Sequence, residues 1–301
     1  MAPQTIHPDD RRLWKDELVE IERDRSDYHV SPGYRPEIQT LTMDQPLIWV
    51  RKGWQDLKRN PVIAIGYGIV IALVYAAIVA FAWSTQLYQV GVQLTAGFIL
   101  LAPMMALGFY GISQKNERGE SVAFLDTFRI WRRNHKGLLG MGLLLVLLFL
   151  AWFMSSMWTA AFLAESKEEL ALFLGSENFP EFYDTLVTNL TLPMALGYFL
   201  VGLAAVLVAF AFTAVSIPMM MDRPETDAIT ALVISWEAVL HNWKPMLWWA
   251  VLIAFFTGIG LLFFYVGLAI TMPLLGFATW HAYRETLGEW RKVEEPQPPY
   301  Y

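Results

Sequence analysis

Four stretches of this chain contain no Asp, Glu, Lys or Arg: those between Arg59 and Lys115, Lys136 and Glu165, Asp184 and Asp222, and Lys244 and Arg284. Charge is costly inside a bilayer, and a helix that crosses one needs about 20 apolar residues. By length the four gaps hold about two, one, one and two such helices. The sequence therefore predicts an all-α integral membrane protein with six transmembrane helices, or five if the last gap is one kinked helix. The composition agrees, with 17% charged residues where soluble chains average about 25%.

A pattern precedes the apolar runs three times. Aligned on Asn60, Asn134 and Asn242, an aromatic stands six residues before each: Trp54, Phe128 and Trp236. Leu57, Trp131 and Val239 stand three before, and Val50, Phe124 and Leu232 ten before. Offsets of three and four put these side chains on one helical face. The reading is three pseudo-repeated hairpins, each preceded by an amphipathic helix in the plane of the cytoplasmic membrane surface. The repeats cover about residues 46–113, 121–221 and 226–284. Pro103, Pro218 and Pro273 recur in the three returning spans. Residues 1–45 form a cytoplasmic N-terminal arm, 46–288 the membrane domain, 165–190 an outer loop and 289–301 a C-terminal tail.

Orientation follows from charge. Of 22 Lys and Arg, Lys167 alone lies in the loop between Glu165 and Asp184, beside six acidic residues. The others lie in the tails or beside the amphipathic helices, which places both termini in the cytoplasm. No cysteine is present, so thiolate metal sites and thiol chemistry are excluded.

Several stretches carry a resemblance: Trp49–Pro61 (WVRKGWQDLKRNP), Gly111–Glu120 (GISQKNERGE), Ser216–Arg223 (SIPMMMDR) and Pro273–Arg284 (PLLGFATWHAYR). With them, about residues 46–288 resemble the bacterial predicted integral membrane proteins grouped as domain of unknown function 2189. The resemblance implies a multi-pass fold in the bacterial inner membrane. It brings no activity, cofactor or catalytic residue.

Basic residues on the amphipathic helices, Arg51, Lys52, Lys58, Arg59, Arg129, Arg132, Arg133 and Lys136, together with His241, are read as lipid-headgroup contacts. They flank membrane spans and stand among Trp residues, so anionic phospholipids are the expected partner and nucleic acid is not. His135, His241 and His281 fall at the cytoplasmic boundary. A membrane haem is held by histidines inside the spans, so these are read as interfacial groups and no metal or cofactor is expected. Gln93, Thr95, Pro103, Pro218 and Pro273 are the pore or kink positions.

No nucleophile with its base, paired carboxylates or glycine-rich phosphate loop occurs, so no catalytic residue is assigned and the protein is read as no enzyme. The leading expectation is an accessory, assembly or scaffold component that binds lipid and another membrane protein complex. The alternative is a carrier or passive channel for a lipid or small solute. A carrier requires a cavity lined by Gln93, Thr95 or the proline-bearing returns. An accessory protein requires a filled centre and an exposed apolar flank.

Overall fold

Proline, asparagine and glycine mark where the helices start and stop in the computed structural model, which describes residues 34–85, 88–163, 192–262 and 266–292. The outer loop at 165–190 and most of both tails lie outside the described residues. Strand β1 (Tyr34–Ile38) precedes α1 (Gln45–Arg59), α2 (Pro61–Ser84), α3 (Tyr88–Met105), α4 (Leu107–Glu117) and α5 (Asp126–Arg129). A 3-10 turn, Ile130–Arg132, leads to α6 (His135–Leu163), followed by α7 (Leu192–Thr213), α8 (Ser216–Asp222) and α9 (Ala228–His241). Helices α10 (Trp243–Leu262) and α11 (Leu268–Thr286) and strand β2 (Leu287–Lys292) complete the order. The chain forms two units, residues 38–288 and a second made of 1–37 with 289–301. Strands β1 and β2 pair as a two-stranded sheet.

Among the described residues, five segments are long and apolar enough to cross a membrane: Pro61–Ala82, Gly97–Glu117, His135–Ser155, Phe199–Asp222 and Trp243–Leu262. The sixth helix expected from sequence, α11, runs unbroken through Pro273 and is buried along nearly its whole length. Its last turns carry His281, Arg284 and Glu285, which lower its apolar character. It packs against α1, α2, α4 and α10. The aromatic core gathers on it: Phe277 meets Phe109 edge-on at 5.6 Å, and Phe109 meets Tyr67 at 4.9 Å. Trp49 of α1 stands edge-on to Trp249 of α10 at 5.7 Å.

Helices α1 and α11 cross at close range. A Cβ on Gly53 would lie 2.8 Å from the Ala278 nitrogen and 2.8 Å from the Leu274 carbonyl oxygen. Only a hydrogen fits there. The protein-facing side of α1 is thus Trp49, Gly53, Asp56 and Leu57, while Leu47 and Trp54, expected on the same apolar face as Leu57, point outward. In α9 likewise, Ala231, Ser235 and Ala238 face the protein, and Ile229 and Trp236 are exposed. Small residues share each inward face with a few large ones, Trp49 and Leu57 on α1 and Ile234 and Val239 on α9.

The second amphipathic stretch departs from the sequence reading. A helix capped by Ser121 is expected, yet residues 120–123 are irregular and the helix spans only Asp126–Arg129 with its 3-10 continuation. Local polar chemistry wins: Asp126 accepts the Ala123 N–H at 3.0 Å, and Thr127 Oγ1 donates to the Phe124 carbonyl at 2.7 Å. Upstream, α4 stops at Gly119, whose φ of 67° suits glycine. Glu120 N–H donates to Lys115 O at 2.9 Å and Gly119 N–H to Asn116 O at 3.2 Å, the paired bonds of a Schellman stop.

Gly53→Ala is expected to cost about 1–3 kcal/mol by forcing α1 off α11. Gly258→Ala, where a Cβ would meet nothing within 4 Å, is expected to leave stability unchanged or slightly raised. Thermal unfolding of both variants in detergent checks the contrast; equal melting temperatures would refute the tight crossing.

Candidate functional site

Two features stand out: a polar network at one end of the helices, and an apolar cavity deeper between them. The network begins with Asp56, which is only 4% exposed. Its Oδ2 accepts from Ser113 Oγ at 2.6 Å and lies 2.8 Å from His281 Nε2; its Oδ1 accepts from Asn116 Nδ2 at 2.9 Å. An ionised carboxylate offers no proton, so Nε2 of His281 carries the hydrogen. Burial pushes the Asp56 carboxyl up, but hydrogen bonds from His281 and Ser113, with the charge of His281, outweigh it and hold the group below the usual carboxylate range.

From there the network spreads. Glu117 accepts from Trp280 Nε1 at 3.0 Å and pairs with Arg284 Nε at 3.4 Å. Asp222 at the end of α8 accepts from Gln114 Nε2 at 2.6 Å and from the Tyr283 hydroxyl at 2.8 Å. Gln114 Oε1 in turn accepts from Arg133 Nη1 at 2.7 Å. Glu285 accepts from Trp49 Nε1 at 2.7 Å and pairs with Lys52 at 2.5 Å. Helices α1, α4, α8 and α11 are tied at this one end.

The three aligned asparagines work at the same junctions. Asn60 Nδ2 donates to Asn116 Oδ1 at 2.7 Å. Asn134 Nδ2 donates to the carbonyls of Thr226 and Met220 at 3.0 and 3.3 Å. Asn242 Nδ2 donates to Gln39 O at 2.9 Å, and its Oδ1 accepts from Leu41 N–H at 2.8 Å. Each asparagine thus holds the segment leading into the next amphipathic helix, and the third holds the segment leading into the first.

The cavity has a volume of about 410 Å³ and is bounded by α2, α3, α4, α7, α10 and α11. Its walls are apolar, from Phe98, Leu100, Phe210, Ile253 and Met272 among others, with hydroxyls from Tyr75, Thr213, Thr257 and Thr279. Pro103 lines it, and so does Trp249, whose buried Nε1 has no hydrogen-bond acceptor among the described residues. Tyr75 donates to Thr95 Oγ1 at 2.6 Å, which puts Thr95 behind the wall. Pro218 and Pro273 are buried within α8 and α11, outside the lining. Gln93 lies on α3, but its side chain falls outside the described residues.

The sequence-marked basic residues do not form one group. Arg51, Lys58, Arg59, Arg129, Arg132, Arg133, Lys136 and His241 are exposed, and Lys58 lies over the Trp54 ring at 5.4 Å. Lys52 is half-buried and engaged by Glu285. The three histidines serve different places: His135 is exposed, His241 lies 3.4 Å from Thr40 Oγ1, and His281 belongs to Asp56. Among the described residues no group of three or more His, Asp or Glu is placed to hold a metal ion. Asp56 reads as polar-face surface in the sequence; the signal missed is that Ser113, Asn116 and His281, far along the chain, sit at the matching helix ends.

Long apolar helices joined through one polar end define a multi-pass membrane protein. Residues 91–222 match the model of a family described as predicted integral membrane protein, domain of unknown function 2189. The matched segment contains two of the stretches that carry the resemblance, Gly111–Glu120 and most of Ser216–Arg223, and the other two lie outside it. No curated protein and no solved structure matches the chain.

Asp56→Ala leaves three partners without their acceptor and is expected to cost about 3–5 kcal/mol. The folded carboxyl lies below its unfolded value, so its contribution is present above about pH 4 and is lost as pH falls through the folded pKa. Melting temperature against pH, with Asp56→Asn beside the parent, checks the sign: the variant should lose part of the acid-side decline. An unchanged acid limb would assign that decline to other carboxylates.

Proposed function

We propose that this protein is a non-enzymatic membrane component that takes up an apolar chain, from a lipid or a small apolar solute, in the cavity between its spans. The observation that carries this is the cavity itself. Its volume of about 410 Å³ falls within the roughly 300–1,000 Å³ of ligand sites, and its wall is predominantly apolar, as theirs is. Ile99, Val206 and Leu207 line it and are themselves exposed, which suits entry sideways from the bilayer.

In this reading the chain crosses the inner membrane six times as three hairpins, α11 being the last crossing, surrounded by protein rather than lipid. Both ends and the polar network lie on the cytoplasmic side, where the basic helices meet anionic headgroups. An accessory or scaffold role stands second. It is favoured by the exposed row Leu196, Phe199, Leu203 and Val206 on α7, spaced to receive another apolar helix.

The first experiment is native mass spectrometry of the protein purified in mild detergent. One apolar molecule should be enriched over the bulk lipids, and Gly258→Leu with Ala250→Leu, which fill the lining, should reduce it about tenfold without lowering the melting temperature. A protein carrying no enriched molecule, or a filled variant that retains it, would remove the cavity reading. Topology is tested by maleimide labelling of the cysteine-free chain. Glu120→Cys should react only from the cytoplasmic side and Thr85→Cys only from the other; labelling of both from one side contradicts the hairpin order.

A further inference from the structure

A second cleft, of about 200 Å³, lies where α4 ends and α5 begins, and it shares no lining residue with the apolar cavity. Lys115, Arg129 and Arg133 line it. Against them stands Asp126, the one carboxylate in the lining among the described residues, so positive charge is in excess. Asp126 is engaged by Lys115 at 2.7 Å and more loosely by Arg129 at 3.6 Å, and Lys115 also reaches the Ser121 carbonyl at 3.3 Å. Arg133 gives one nitrogen to Gln114, which braces it from behind. A guanidinium has five N–H donors and an ammonium three, so these cations keep donors for an anion in the cleft.

The surroundings say which anion. Phe128 lies on α5, Phe124 and Leu125 directly precede it, and all three are exposed. The cleft adjoins Gly97–Glu117, a segment able to cross a membrane. Exposed aromatic and aliphatic side chains next to cations are the arrangement of an interfacial element, with the apolar groups among acyl chains and the cations at phosphate depth. A soluble phosphate compound would gain nothing from those three side chains.

We propose that this cleft binds the phosphate of an anionic phospholipid, gripped by Lys115, Arg129 and Arg133. It is a defined site for one headgroup, in addition to the diffuse attraction that any basic surface exerts. Lys115 enters it although the sequence pattern does not mark that residue.

The test uses the full-length protein in phosphatidylcholine nanodiscs doped with phosphatidylglycerol, with lipid retention read by native mass spectrometry. Arg129→Gln is compared with Arg132→Gln, which removes the same charge from a neighbouring exposed position outside the cleft. Loss of charge-assisted hydrogen bonds is expected to lower phosphatidylglycerol retention about tenfold in the first and to leave it near parental in the second. Asp126→Asn removes the carboxylate that competes for the same cations and is expected to raise retention about threefold, a gain that a damaged fold does not give. Equal loss in both arginine variants, or no loss in either, overturns the cleft. Millimolar inorganic phosphate distinguishes the source: failure to displace the lipid supports the assignment, and displacement overturns the lipid in favour of phosphate from solution.

Discussion

The burial of the Asp56 carboxylate is the constraint on which the rest of the arrangement depends. A charge removed from water is tolerated only where every lone pair finds a donor. Here the donors come from α4 and α11, which fixes three helices relative to one another at one end. Gly53, one turn earlier on α1, lets the backbones approach closely enough for those bonds to form. Apolar packing among spans is not directional by itself, because lipid tails are as apolar as leucine. The polar end supplies the direction, and the long helices extend from it.

Much of this was legible in the sequence, for a definite reason. Charge-free runs report spans because the cost of burying a charge acts on each residue independently of its partners. The inward faces of α1 and α9 were legible only in part: Leu57 and Val239 are buried as their spacing implies, whereas Trp54 and Trp236 point outward. Close helix packing also uses Gly53, Ala231 and Ala238, which an apolar periodicity does not single out. Asp56 was misplaced on a solvated face because its partners stand 57, 60 and 225 residues away, beyond any periodicity. Around Phe124 the periodicity misled in the other direction, since turns made by Asp126 and Thr127 outcompeted a longer helix.

The two candidate sites divide along the membrane normal that the helices imply. The cavity offers apolar surface with a few hydroxyls, and the cleft offers cations with apolar neighbours. Together they suit the two chemical ends of a lipid. The family match leaves the biological process open, so the chemistry of these surfaces carries the functional reading.

The asparagine that follows the third amphipathic helix has a consequence for the order in which the protein is made. Asn242 holds Gln39 and Leu41, whose partners are separated from it by about 200 residues. The opening segment of the chain therefore emerges long before the residue that will fasten it exists. During synthesis it waits, with its backbone groups served by water, until α9 and Asn242 have been made. Completion of α9 is then the event that fastens the segment leading into α1, and a chain that stops short of it leaves that segment unfastened.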